Sequence, residues 1–370
     1  VMQMNKGNKL ALTRTQFILL IHGTQMATGI LYLPQQLAAV AGSDGWISLI
    51  FGWMYSCIIG YAIIYVMALY EGKTFGQILQ MFFGRWLGKL ALLAFALLYA
   101  YMAFFSLLNA ASMINVWALS YTPSYHFVFL LMVPVYILAR KGIQAIGRYA
   151  EFVFFFILGL PFLLVFALKN NCNILYFLPV LQDGWGPVLN ATVEMATAFS
   201  GLEIAYFLYP YLEDKKKAAS SIFIANAISG FFLLFVTIVC FLYMTPDNLK
   251  INVWPTLSLL KGIQFAFLER LEIIFLSLYL FQFSTNYIPA LYVAASSISN
   301  IFTFISYRKA LVALLVIIFG VFLTVPMTLE VKMLLEKLTG QVYFYLFAIV
   351  PMFLWVYGAI FHKIKGGKAR

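Results

Sequence analysis

The chain has 370 residues, of which 64% are hydrophobic and 10% charged, with a mean hydropathy of +0.92. Soluble domains carry about 25% charged residues, so a soluble enzyme or binding module is excluded and a polytopic membrane protein is expected. The net charge of +11 raises nucleic-acid binding, but the placement of the charges along the chain argues against it.

Ten apolar spans are predicted, at 15–40, 46–70, 90–119, 126–140, 149–168, 188–211, 218–244, 270–300, 310–327 and 342–361. Most reach the ~20 residues needed to cross ~30 Å of hydrocarbon. The fourth is short, and the third is long enough to tilt. The apolar run after Arg14 lacks a signal-peptide cleavage pattern, so the first span is expected to be retained. With the N-terminus placed in the cytoplasm, eighteen of the 24 Lys and Arg residues fall on the inner side and six on the outer side. This bias predicts both termini inside. It also removes the nucleic-acid reading, because the basic residues sit in short loops as topology signals.

Inside the first span, His22-Gly23-Thr24-Gln25-Met26-Ala27-Thr28-Gly29 runs on to Pro34. A helix facing lipid gains nothing from two glycines, two threonines and a glutamine. Irregular backbone at membrane depth is tolerated only against protein or a water-filled cavity. The stretch reads either as a break near 27–29 or as a continuous helix with small residues for close packing. The sixth span carries a matching interruption at Phe199-Ser200-Gly201-Leu202-Glu203. Five spans separate the two starts, so the halves would run in opposite directions. Interrupted spans at matching places in inverted halves point to a midplane site, and this favours the break. The expected organisation is a single transmembrane domain, 1–370, with repeats at roughly 13–168 and 187–361.

Between the spans, Gly72 to Gly88 is amphipathic and suited to lie along the inner surface. Prolines and glycines in 170–187 forbid a regular helix there. The outer stretch 245–269 reads as a short capping helix. Cys57 and Cys240 lie in spans and Cys172 in a loop, which makes no disulfide framework.

Two acids lie in the sixth span, Glu194 and Glu203. A carboxylate there costs roughly 2.5–3.5 kcal/mol on insertion scales. Glu203 follows the interruption. It could contact a ligand amine, lock the packing across the break, or hold a proton; the bland alternative is a protonated carboxyl bonded to freed backbone. The third span carries Tyr99, Tyr101, Ser106, Asn109, Ser112 and Asn115, either lining a wet path or making interhelical hydrogen bonds. The eighth carries Gln282, Ser284, Thr285 and Asn286, a patch suited to the interior. Glu269, Arg270 and Glu272 open that span as ordinary helix-dipole partners. Gly72-Lys73-Thr74 lacks the P-loop glycine, Met67 standing in its place. His22, His126 and His362 show no ligand spacing, and nothing supports an enzyme, a metal or a cofactor.

Together these residues resemble the B subunits of endospore germinant receptors, the spore germination permeases. The likeness rests on Asp183-Gly184-Trp185-Gly186-Pro187, Phe199 to Glu203 and Lys215-Lys216-Lys217. It continues in Trp254-Pro255-Thr256, Phe267-Leu268-Glu269-Arg270-Leu271-Glu272, Gly29 to Pro34, Gly45-Trp46, and Arg140-Lys141-Gly142 with Arg148. The resemblance implies an all-α fold of ten transmembrane helices in a 5+5 inverted repeat. This is the LeuT-like fold of the amino acid–polyamine–organocation (APC) transporter superfamily, with helices 1 and 6 broken. It implies a sensor of a nutrient germinant, usually an amino acid, in the spore inner membrane, working with an A subunit and a lipoprotein C subunit. The alternative is an APC-type secondary amino acid transporter.

The expected ligand set follows from that reading. It comprises Gln25, Met26, Ala27, Thr28 and Gly29 at the first break, and Tyr101 and Met102 on the third span. Ser200, Gly201 and Glu203 stand at the second break, and Ser284 and Thr285 on the eighth span. Related proteins often carry Gly-x-Gly at the first break; the methyl of Ala27 narrows the pocket here.

Overall fold

The computed structural model describes residues 11–26, 29–119, 121–169, 171–263, 270–327 and 329–366. Ala27, Thr28 and Glu269 lie outside these residues, as does the side chain of Glu194. The described residues are helical almost throughout; the one bridge of strand type is an isolated pairing of Leu12 with Leu212.

Helix α1 (Arg14–Gln25) opens on a capping box. Thr13 Oγ1 accepts the Gln16 amide at 3.2 Å and Gln16 Oε1 accepts the Thr13 amide at 3.3 Å, covering two donors a helix start leaves open. Met26 closes α1, and α2 (Gly29–Ala41) begins three residues later. The first span is therefore broken where its sequence suggested. Pro34 inside α2 has no amide to give Ile30, and Thr256 Oγ1 donates to that carbonyl instead at 2.7 Å.

The second span is α3 (Gly45–Leu69) and the third lies in α4 (Phe75–Trp117). Gly84, at φ +82°, kinks α4 and separates an amphipathic arm from the span proper. The arm does more than float on a membrane surface: Phe82 packs on Tyr70, Tyr357 and Phe361 at 5.2–5.4 Å. Then come α5 (Ser124–Ala139) and α6 (Ile143–Ile157), the latter extended as 3₁₀ helix over Pro161–Lys169. The sixth span is α7 (Trp185–Ala198), an interruption, a 3₁₀ turn (Leu202–Ile204) and α8 (Ala205–Leu208). The second break also stands.

Helix α9 (Ala218–Tyr243) is followed by two short helices, α10 (Pro246–Ile251) and α11 (Pro255–Lys261), where one was expected. The last spans are α12 (Leu271–Ile301), α13 (Tyr307–Thr324), and a run made of α14 (Leu329–Tyr343), a π-helical turn (Phe344–Ile349) and α15 (Val350–Gly366). That run begins well before the expected 342, because Glu330, Lys332, Glu336 and Lys337 mask its first turns in a hydropathy reading.

Seven helical stretches of the described residues are long and apolar enough to cross a membrane. The broken sixth span and the short α5 fall below that length, and α1 is cut off from α2 by the break. Half-helix α1 sits among α6, α9 and α12, and α4 lies along α12. Leu130, Phe155 and Val316 are exposed on the outside of the bundle, as a lipid-facing surface requires.

Candidate functional site

Breaking a helix leaves the last carbonyls of its first half without amide partners. In α1 these groups are met by side chains of one helix, α12. Gln282 Nε2 donates to the Gly23 carbonyl at 3.3 Å, Asn286 Nδ2 to that of Thr24 at 2.7 Å, and the Tyr279 hydroxyl to that of Met26 at 2.8 Å. The Thr285 hydroxyl lies 3.2 Å from the Gly23 carbonyl but 2.7 Å from that of Gln282, and its single proton serves the nearer one. Two residues of the eighth span's polar patch, Gln282 and Asn286, thus cap the first break. A close approach makes this possible: a Cβ on Gly23 would stand 2.8 Å from the Thr285 side chain.

The two breaks touch each other. Gln25 Nε2 donates to the Phe199 carbonyl, just past the end of α7, and to Asn226 Oδ1, both at 3.1 Å. Ser229 Oγ donates to Gln25 Oε1 at 2.8 Å and lies 2.9 Å from His22 Nδ1. Asn226 Nδ2 passes the chain of bonds on to Ser56 Oγ at 2.7 Å. Gly201, at φ +110°, brings its backbone against α1, where a Cβ would meet the Thr24 carbonyl and the Gln25 amide nitrogen at 2.9–3.0 Å. Only glycine fits both the conformation and the space.

Glu203 is fully buried. Its Oε2 accepts the Gly201 amide at 2.7 Å, so the carboxyl ties the turn that crosses the break. Its Oε1 is buried with no hydrogen-bond partner among the described residues, as are the hydroxyls of Tyr99 and Tyr206. Of the readings made from the sequence, the one whose contact is present is a carboxyl bonded to freed backbone.

Beside the first break lies a cavity of about 30 Å³, bounded by His22, Met26, Ile30, Phe232, Tyr279 and Gln282 among others. That is room for about one water molecule, whereas ligand pockets span roughly 300–1,000 Å³. The breaks are closed on one another in this arrangement.

The expected site residues divide. Gln25, Met26 and Gly29 stand at the first break, Gly201 and Glu203 at the second, and Thr285 lies against Gly23 just before the first. Ser200, half-buried, lies in the second interruption. Met102 is buried in the core. Tyr101 turns elsewhere: its hydroxyl pairs with Thr339 Oγ1 at 2.7 Å and donates to the Leu335 carbonyl of α14 at 3.1 Å. Ser284 pairs with the Tyr149 hydroxyl at 2.6 Å, toward α6. Asn226 and Ser229, which complete the network around Gln25, were not anticipated. Their i, i+3 spacing on an otherwise apolar span was a signal, since such residues face the bundle interior.

A helical membrane bundle with its first and sixth spans broken and in contact at the breaks is a LeuT-type architecture. A solved structure of MhsT in complex with L-phenylalanine superposes with a TM-score of 0.65, covering 96% of this chain and 99% of that chain at 11% identity. A family model described as spore germination protein, the spore permease family, matches residues 11–332. The chain belongs to that family, an integral membrane family of permease-like proteins. Among its relatives in Bacillus subtilis, spore germination protein A2 is 25% identical and aligns over 97% of this chain and 98% of its own length. Spore germination protein YndE is 25% identical over 79% and 81%, and spore germination protein KB 26% identical over 72% of each.

Proposed function

We propose that this chain is the nutrient-sensing subunit of a spore germination receptor, lying in the spore inner membrane with both termini in the cytoplasm. It binds its germinant, an amino acid, where the two broken helices meet, and works with an A subunit and a lipoprotein C subunit. The first turn of α2 offers amides without helical acceptors and the positive end of a half-helix, the chemistry a ligand carboxylate needs. The ligand set of that site is Gln25, Met26, Ala27, Thr28, Gly29, Met102, Ser200, Gly201, Glu203 and Thr285. Tyr101 and Ser284 belong to it only if α4 and α12 shift on binding. Binding favours one arrangement of the broken helices and passes that bias to the partner subunits.

The observation that carries sensing over transport is the capping of α1. In secondary transporters, unwound carbonyls and half-helix C-terminal ends coordinate the driving cation. Here the Gly23, Thr24 and Met26 carbonyls already hold neutral donors from α12. A bundle capped this way changes shape with ligand and needs no cation to order its first break.

The test is thermal stability of the purified chain against a panel of amino acids, sugars and nucleosides. At least one amino acid is expected to raise the unfolding midpoint in a saturable way, and Ala27→Gly to widen the set that does so. No stabilisation by any amino acid would remove the site at the breaks.

A further inference from the structure

Arg14 opens α1, the half-helix that ends at the first break. Its side chain reaches the start of α9, where Nε donates to Ser221 Oγ at 3.3 Å and Nη2 to Ser220 Oγ at 3.1 Å. Both hydroxyls give their own protons to the Lys217 carbonyl, at 2.7 and 2.9 Å, so they meet the guanidinium as neutral acceptors. No carboxylate pairs with Arg14 among the described residues. The acids of the neighbouring segments are otherwise placed. Asp214 holds Lys217 at 3.2 Å, Glu71 holds Lys215 at 3.6 Å, and Glu151 of α6 accepts from Gln16 Nε2 at 3.4 Å. Glu213, whose amide donates to the Leu12 carbonyl at 3.1 Å, and Lys216 are exposed, and neither makes an ion pair among the described residues. The guanidinium charge is left without a counter-ion.

Two further features fix what an anion there would be. Arg14 and Ser220 are exposed, and along the same side of α9 Phe223 and Phe231 are exposed as well, a face suited to acyl chains. Sites at broken helices lie near the bilayer midplane. The twelve residues of α1 run about 18 Å away from the break, and half of the hydrocarbon is ~15 Å. Arg14 is therefore expected at the depth of the lipid phosphates. A planar guanidinium forks onto two oxygens of a phosphate.

We propose that the rim between α1 and α9 binds the phosphate of an anionic phospholipid, with Arg14 and Lys216 as donors and an acyl chain along Phe223 and Phe231. Such a lipid ties the start of α1 to α9, as Gln25 with Asn226 and Ser229 ties its other end. The anionic lipid of the bilayer thereby steadies the half-helix whose far end forms the proposed ligand site.

The test is the thermal midpoint of the full chain in phosphatidylcholine nanodiscs with rising fractions of phosphatidylglycerol and no amino acid present. The midpoint is expected to rise saturably. Arg14→Gln, which keeps an amide donor for Ser220, is expected to fold in pure phosphatidylcholine and to lose the rise. Lys216→Gln is expected to need a several-fold higher fraction of phosphatidylglycerol for half of it. Lys309→Gln removes an exposed charge at the start of α13 and is expected to behave as the parent chain does. No rise in the parent, an undiminished rise in Arg14→Gln, or an equal loss in Lys309→Gln would overturn the site. Should Arg14→Gln fail to fold, Lys216→Gln decides, and an unchanged half-point overturns the proposal. Inorganic phosphate in pure phosphatidylcholine is expected to give no rise; a rise matching that of phosphatidylglycerol would mean a free anion and overturn the lipid. Failure here leaves amino-acid stabilisation at the breaks intact, so the two sites are judged separately.

Discussion

Gly201 holds the closest approach between the two broken helices, and two constraints meet there. A side chain would sit at φ +110° and within 2.9–3.0 Å of the Thr24 and Gln25 backbone. A strained residue of this kind costs about 1–3 kcal/mol before the clash is counted. Gly201→Ala is therefore expected to lower the thermal midpoint, and Gly201→Leu to lower protein level and assembly as well as response. If Gly201→Leu assembles normally and responds at the wild-type ligand concentration, the breaks do not form the pocket. Glu203 separates shape from charge at the same turn. Glu203→Gln keeps an oxygen for the Gly201 amide and is expected to accumulate like the parent chain. Glu203→Ala leaves that buried amide without its acceptor, a loss of about 1–3 kcal/mol, and is expected to melt earlier in the same scan. Equal midpoints for the two variants would mean that the carboxyl does not tie the turn.

At the scale of elements, α1 is completed by α12. Asn286 supplies the shortest of the caps, 2.7 Å to the Thr24 carbonyl. Asn286→Ala exposes that carbonyl to a gap and is expected to destabilise by about 1–3 kcal/mol. Replacing sodium by choline is expected to leave both the midpoint and the ligand-induced shift unchanged; a sodium-dependent shift in the parent chain would show that the caps give way to a cation. The breaks themselves were legible in the sequence, because glycine, threonine and glutamine within an apolar run have no use against lipid. The Gln282–Asn286 patch was legible as interior for the same reason. Its partners were not: Asn286 meets Thr24 across 262 positions of the chain, and no local period encodes that pairing. Tyr101 shows the converse. Its place near other polar residues on the third span suggested the ligand, but helix rotation turns it to α14 and Thr339. The early start of the last run was hidden because charged residues lower hydropathy wherever a helix end reaches past the hydrocarbon.

For the whole molecule, the fold was legible from ten apolar spans and an odd offset between two interruptions, while the division into halves near 13–168 and 187–361 is an expectation carried by that offset. The charge asymmetry predicts both termini inside. A cysteine at Lys363, exposed on the last helix, is expected to react with an impermeant maleimide only after the membrane is opened; reaction in intact cells would invert the topology. Sensing and transport share this architecture, so binding and movement of the ligand have to be read on the same sample. The most direct measurement is binding and uptake of a radiolabelled amino acid, chosen by its thermal stabilisation, in proteoliposomes bearing a sodium or proton gradient. Saturable binding with no accumulation above the equilibrium level under either gradient is the expected result, and concentrative uptake driven by either gradient would contradict it.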